Sequence, residues 1–328
     1  MRVKRTVMVP DWAEQLASDA TDMWRAPTSL PQRAPRRVEF EFPEDAYFEY
    51  GFIDAQGKIR ADPANPVRAD NPWYPDASAL TGPAYAPDPL ATPDRSLERG
   101  RLSRLRLTSD ALEGQLRRVA VYTPHGHDGA ELPLVVVQDG VAFQRLAGLH
   151  VVGEALARTG EARAARFAFV EPVDRRAEYG FSDAYLDFLL EELPPALERV
   201  GPSTGRHVWL GASLGGLVSA GAALRRPEMT AAVVTLSGAF LGEPAHREFY
   251  ATRDSWLLAR LADPATRLPP RWYLEVGTIE WLTDVNRRAA SALRSRGVAT
   301  GYVERHAGHN WTNWRNGMAA ALRFALEP

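Results

Sequence analysis

Gly211-Ala212-Ser213-Leu214-Gly215 sets one serine between two glycines, directly after the apolar run Val208-Trp209-Leu210 and before a small-residue stretch reaching Leu224. A strand that bends through G-x-S-x-G into a helix is a nucleophile elbow, the strained turn that lifts a serine hydroxyl clear of a sheet. Glycine at 211 and 215 keeps side chains out of the space where strand and helix double back. The bend also puts the backbone N–H of Leu214 at a helix N-terminus, aimed at the oxygen of a carbonyl under attack. The chemistry this predicts is acyl transfer through a serine ester.

A serine hydroxyl is a poor nucleophile at neutral pH and needs a base, itself oriented by an acid. With an elbow of this kind the partners follow in the order serine, acid, histidine. His306 and His309 follow Ser213 by a workable margin. His309 is the preferred base, because it lies in the loop between the last expected strand and the last expected helix; His306, nearer the strand, reads as a rim residue. Glu280 is the preferred acid, at the carboxyl end of a strand over 272–276. Asp284 reads as the cap of the next helix, where Asp is favoured. The loop Gln138-Asp139-Gly140-Val141 follows the apolar run Leu134-Val135-Val136-Val137 and offers a second oxyanion donor at Gly140 or Val141. Trp281, Trp311 and Trp314 flank the acid and base and suggest an aromatic wall for an aryl or sugar group. Trp314 is better read as packing under the last helix.

Elements must hold these groups. From about residue 101 strands are expected at 118–123, 134–138, 167–171, 231–236, 272–276 and 301–305, besides the elbow strand. Helices are expected at 149–158, 184–200 (interrupted by Pro194-Pro195), 214–224, 284–296 and 317–326. Such alternation predicts a mostly parallel sheet with helices on both faces and a site at the carboxyl ends of the strands. The first hundred residues differ, being rich in proline and aromatics. Val38, Phe40 and Phe42 alternate with Arg37, Glu39 and Glu41, a second strand is expected at 47–53, and Asp54 to Gly57 reads as the turn after it. Three or four strands are countable there, ahead of a proline-stiffened connection through about residue 93. The expected organisation is a small β-rich module with its linker over 1–100 and an α/β catalytic domain over 101–328. Trp12, Trp24 and Trp73 read as the module's core more readily than as a carbohydrate platform.

Composition excludes several classes. With 39 Lys and Arg against 41 Asp and Glu the net charge is −2, which argues against a nucleic-acid partner. No cysteine is present, so a thiolate nucleophile, disulfides and cysteine zinc sites are excluded. His125-Gly126-His127-Asp128 reads as a solvated loop, and neither metal nor cofactor is expected. The basic first ten residues lack an apolar core and no 18-residue apolar run exists, so a cytoplasmic protein with no membrane partner is expected.

The ordered set Asp139-Gly140, Arg175-Arg176-Ala177-Glu178-Tyr179, Glu192-Leu193-Pro194, Gly211 to Gly216, Ser237-Gly238, Gly277-Thr278-Ile279-Glu280 with Asn286, Gly308-His309 and Trp314-Arg315 resembles the enterochelin-esterase/esterase-D family of α/β-hydrolases. The resemblance spans roughly residues 115–328. It implies Ser213 as nucleophile, His309 as base, Glu280 as acid and a substrate-facing arginine at Arg175, for which an ion pair with Glu178 is the competing role. Family members often carry Gly-Gly-His-Asp where this chain has Ala307-Gly308-His309-Asn310, and Trp281 replaces the proline common after the acid in siderophore esterases. Phe48 to Phe52 and Asp62 to Pro66 resemble the immunoglobulin-like domain that precedes the catalytic domain in ferric-enterobactin esterases. The expected protein is a serine esterase acting through an acyl-enzyme on a small-molecule ester, a siderophore ester among the candidates. Acyl, feruloyl or acetyl esters of carbohydrates are the alternative substrates. A non-catalytic binding protein on the same scaffold is the alternative class, and the full Ser213, Glu280 and His309 set argues against it.

Overall fold

Alternating apolar residues in the first hundred positions build strands, and the computed structural model describes residues 1–21, 26–245 and 255–328, so Trp24 lies outside it. The chain forms two compact units, the smaller made of residues 1–88, 276–283 and 304–316. Its strands are β1 (Arg2–Met8), β2 (Gln15–Ser18), β3 (Thr28–Ser29), β4 (Arg37–Pro43), β5 (Tyr47–Ile53), β6 (Ile59–Arg60) and β7 (Ser78–Thr81). β1 pairs with β4, while β5 organises a five-stranded sheet of order β3-β2-β5-β6 in which β7 also pairs with β5. In β4, Phe40 and Phe42 are buried and Arg37, Glu39 and Glu41 are exposed. Phe40 packs on Phe48 and Tyr50 at ring separations of 5.0 and 5.2 Å. Among the described residues seven strands stand here where the pattern predicted three or four. β2, β3, β6 and β7 are only two to four residues long, too short for a period-two signal to register.

The larger unit comprises residues 89–275, 284–303 and 317–328. Its strands are β8 (Arg101–Ser109), β9 (Gln115–Thr123), β10 (Leu132–Gln138), β11 (Arg166–Val170), β12 (Ser203–Ala212), β13 (Thr230–Leu236), β14 (Arg271–Gly277) and β15 (Ala299–Arg305). They form one sheet of order β15-β14-β13-β12-β10-β11-β9-β8. Pairing is parallel from β11 through β14 and antiparallel from β11 out to β8. The valines of β10 are buried without alternation, as a parallel strand covered on both faces requires. The helices are α1 (Leu149–Arg158), α2 (Arg175–Tyr179), α3 (Asp183–Asp187), α4 (Leu193–Glu198), α5 (Leu214–Arg225), α6 (Trp256–Ala262), α7 (Thr283–Ser295) and α8 (Trp311–Ala325). Among the described residues no helix is long and apolar enough to cross a membrane.

Two helices depart from expectation for local reasons. The segment expected as one helix over 184–200 is α3, a wider π-turn at Phe188–Glu192, and α4. Pro194 and Pro195 have no N–H to give, and the ladder widens before them so that the Leu193 N–H reaches the Phe188 carbonyl. The last helix begins at Trp311, six residues earlier than expected. Asn310 starts it, its Oδ1 accepting the Asn313 N–H at 2.8 Å in the manner of an N-cap.

Candidate active site

Ser213 follows the last residue of β12 and carries φ 56°, ψ −123°, a region L-residues rarely adopt. Its N–H donates to the Leu236 carbonyl at 2.9 Å, and its own carbonyl accepts the N–H groups of Ala239, Gly216 and Leu217, which opens α5. A Cβ on Gly211 would lie 2.3 Å from the Gly215 backbone, so the elbow closes only on glycine. Leu214 holds the first position of α5, where a helix leaves its N–H groups without an internal partner. Asp139 after β10 and Ser237 after β13 also have positive φ, 55° and 51°. Three neighbouring strands thus end on non-glycine residues in left-handed backbone, at the edge of the sheet where α/β proteins place their chemistry.

Beside the elbow, hydrogen bonds hold Asp139 and Val141 in the loop after β10, and tight packing holds Gly140. The Asp139 N–H donates to Tyr179 Oη at 2.8 Å. The Asp139 carboxylate accepts Arg175 Nε and Nη2 at 2.7 and 2.9 Å, and Nη2 also approaches the Ala212 carbonyl at 3.4 Å. Glu178, weighed above as the partner of Arg175, instead takes both ends of the buried Arg117 guanidinium at 2.7 and 2.9 Å. The Val141 N–H is committed to Glu171 Oε2 at 2.8 Å. Burial raises the Glu171 pKa, and that N–H partly offsets it. Gly140 packs so tightly on β11 that a Cβ would fall 2.5 Å from the Phe169 carbonyl carbon.

In the smaller unit, Glu280 Oε2 meets His309 Nδ1 at 2.5 Å and Glu280 Oε1 accepts the Gly277 N–H at 2.7 Å. The Glu280 side chain is fully buried, whereas that of His309 retains 13% exposure. Asp284 differs on both counts that mattered. Its side chain is 81% exposed, 4.0 Å from Arg288, and it stands in the first turn of α7. The helix begins one residue earlier, at Thr283, whose hydroxyl bonds the Gly277 and Glu280 carbonyls at 2.7 Å each. His306 pairs with Asp45 at 2.6 Å and is exposed. Trp281 lies 4.6 Å from the His309 ring. Trp311 is buried, packed on Trp73 and Trp314 at 5.4 and 5.0 Å, and Trp314 meets His309 edge-on at 5.1 Å.

Of the residues picked from sequence, Ser213, Leu214, Gly140 and Arg175 belong to the larger unit, and Glu280, Trp281, His309 and Trp311 to the smaller. Sequence reasoning missed Arg117 and Glu171, and it quoted Asp139 without giving it a partner. Arg117 sits next to Arg118 in an exposed-looking basic pair, which conceals its burial.

Residues 109–325 match the profile of the Esterase family. The chain belongs to that family. Among its relatives, the iron(III) enterobactin esterase of Dickeya dadantii is 28% identical over 287 residues, a match covering 80% of this chain and 65% of that protein, just under two thirds of its length. The solved enterobactin esterase from Shigella flexneri, in the presence of enterobactin, superposes with a TM-score of 0.77 at 21% identity, over 100% of this chain and 93% of that one. A ferulic acid esterase structure gives a TM-score of 0.58 at 18% identity, over 70% of this chain and 98% of that one. These likenesses establish the α/β-hydrolase fold with a β-rich N-terminal part.

Proposed function

We propose that this protein hydrolyses carboxylic esters through a Ser213 acyl-enzyme. The observation that carries the reading is the Glu280–His309 hydrogen bond. A buried carboxylate on Nδ1 fixes that nitrogen as the protonated one, which leaves Nε2 to accept a proton. In the proposed reaction Ser213 Oγ attacks the ester carbonyl and His309 Nε2 takes the hydroxyl proton. The tetrahedral oxyanion is met by the Leu214 N–H and by the Gly140 N–H, since Val141 has given its own to Glu171. Each such donor contributes about 3–4 kcal/mol to the transition state in comparable sites. Collapse expels the alcohol, which receives the proton from His309. Water then attacks the acyl-enzyme with His309 again as base, and Ser213 is regenerated.

The substrate class we propose is a catecholate siderophore ester, in keeping with the enterobactin esterases matched over 80% of the chain in sequence and 100% in structure. Arg175, 32% exposed beside the elbow, is its substrate-facing cation, with Trp281 as the aromatic surface near the base. A hydroxycinnamoyl ester of a sugar is the second reading, favoured by the likeness to the ferulic acid esterase. Turnover of ferric and apo catecholate trilactones, set beside feruloyl and short acyl esters, separates them. Selective trilactone cleavage supports the first reading, and cleavage of feruloyl or short esters alone rejects it while keeping the mechanism.

A further inference from the structure

Asp19 heads a short turn after β2, 291 residues before Asn310, and the two are hydrogen-bonded. Its Oδ2 accepts the Glu49 N–H at 2.7 Å and Asn310 Nδ2 at 3.0 Å. Asn310 caps α8, and Asn313 in the next turn sends its Nδ2 back to the Gly308 carbonyl at 3.2 Å. On the other side of His309, Gly308 lies so close that a Cβ there would fall 2.0 Å from Asp19 Cγ. One carboxyl therefore bonds Asn310 on one flank of His309 and packs against Gly308 on the other, while Glu280 bonds its ring.

We propose that Asp19 is a positioning residue for His309, contributed by the N-terminal strands. The inference rests on the ester-hydrolase reading above. Asp19 is 1% exposed, and its Oδ1 is buried with no hydrogen-bond partner among the described residues. A carboxylate in that place is desolvated, and the two hydrogen bonds to Oδ2 offset that cost in part. Burial first, and the Glu49 carboxylate second, hold its pKa well above the ordinary carboxylate range, and Glu280 adds to the effect. Behind it, Glu49 accepts Asn71 Nδ2 at 2.8 Å and the Tyr47 hydroxyl at 3.2 Å, and burial raises its pKa to about 7. The remaining charges that act on Glu49 are Arg315 and Asp70, themselves paired at 2.6 Å.

The test is kcat and KM of Asp19→Ala and Asp19→Asn on a small neutral ester, with Ser213→Ala as baseline and rates normalised to folded protein. Asp19→Ala should lose roughly 10- to 100-fold in kcat with KM within about threefold, the signature of a misplaced base. Asp19→Asn retains an oxygen that can accept both hydrogen bonds, so it should recover most of that loss and leave the acid limb of the kcat/KM profile in place. Wild-type kcat in Asp19→Ala overturns the proposal, as does an Asp19→Asn protein as impaired as Asp19→Ala. If Asp19→Ala does not fold, Gly308→Ala carries the test, since its methyl must displace the Asp19 carboxyl; unchanged kcat there overturns the proposal too. Turnover by Ser213→Ala would sink the esterase mechanism itself. A dead Ser213→Ala beside an unimpaired Asp19→Ala sinks only this inference.

Discussion

Asp139 grips Arg175 through both carboxylate oxygens, at 2.7 and 2.9 Å, in a loop whose next two residues are Gly140 and Val141. The arginine proposed to meet substrate is therefore already tied to the carboxylate that shapes the proposed oxyanion loop. Its charge is largely balanced before any ligand arrives, so recognition and loop geometry are linked through one ion pair.

That linkage predicts the behaviour of a double-mutant cycle. Arg175→Gln leaves the 9%-exposed Asp139 carboxylate uncompensated, and since Arg175 is itself partly solvated the loss should be about 1–3 kcal/mol. Adding Asp139→Asn should restore the melting temperature without restoring kcat/KM on catecholate esters. Melting curves and kinetics of the four proteins check this. Full recovery of turnover in the double variant would remove Arg175 from the substrate side.

Ser213→Ala should lose at least about 10⁴-fold in kcat/KM, as expected when a triad nucleophile is removed. Ser213→Gly should be equally inactive yet more stable than Ser213→Ala, because glycine adopts φ 56° without the strain of a Cβ. The gain should be about 1–2 kcal/mol, or a few degrees in Tm for a chain of this size. Calorimetry of the two variants reads it directly.

Glu280→Gln should cost roughly 10³- to 10⁴-fold in kcat, since a neutral amide neither fixes the His309 tautomer nor stabilises the imidazolium. Asp284→Asn, solvated and 4.0 Å from Arg288, should stay within about twofold. The reverse ranking would show that the acid had been misassigned.

His207 in β12 is buried with neither ring nitrogen hydrogen-bonded to any described residue, and burial depresses its pKa to about 4. A base with a depressed folded-state pKa takes up a proton in the unfolded chain first. Stability should therefore fall as pH drops from about 6.5 to about 4, by roughly 3 kcal/mol in total. His207→Leu should remove that slope, and urea midpoints at pH 7 and pH 4.5 measure it. A slope unchanged by the substitution would place the acid sensitivity elsewhere.

Much of the fold around Ser213 was legible because much of it is local. The elbow is five consecutive residues whose glycines are demanded by backbone contacts within the same turn, so its pattern survives in the linear chain. The strands β10 to β14 were legible for a related reason: burial on both faces leaves a continuous apolar run. His309 was placed by its position between a strand and a helix. The early start of α8 was missed because it depends on the Asn310 cap and not on hydrophobic periodicity. Trp311 read as a loop aromatic for that reason, and as part of the helix it is buried.

The sequence by itself determined the turn that carries Ser213, the alternation that makes a parallel sheet and the order in which Ser213, Glu280 and His309 follow one another. Only the tertiary structure decided that Glu280 is buried on His309 while Asp284 faces solvent, that Arg175 pairs with Asp139 and not Glu178, and that Asp19 reaches Asn310. Propensity and turn chemistry act over a few residues and leave a periodic trace. A hydrogen bond between side chains 36 or 291 positions apart leaves none, because it depends on where folding brings them and on how much water it removes.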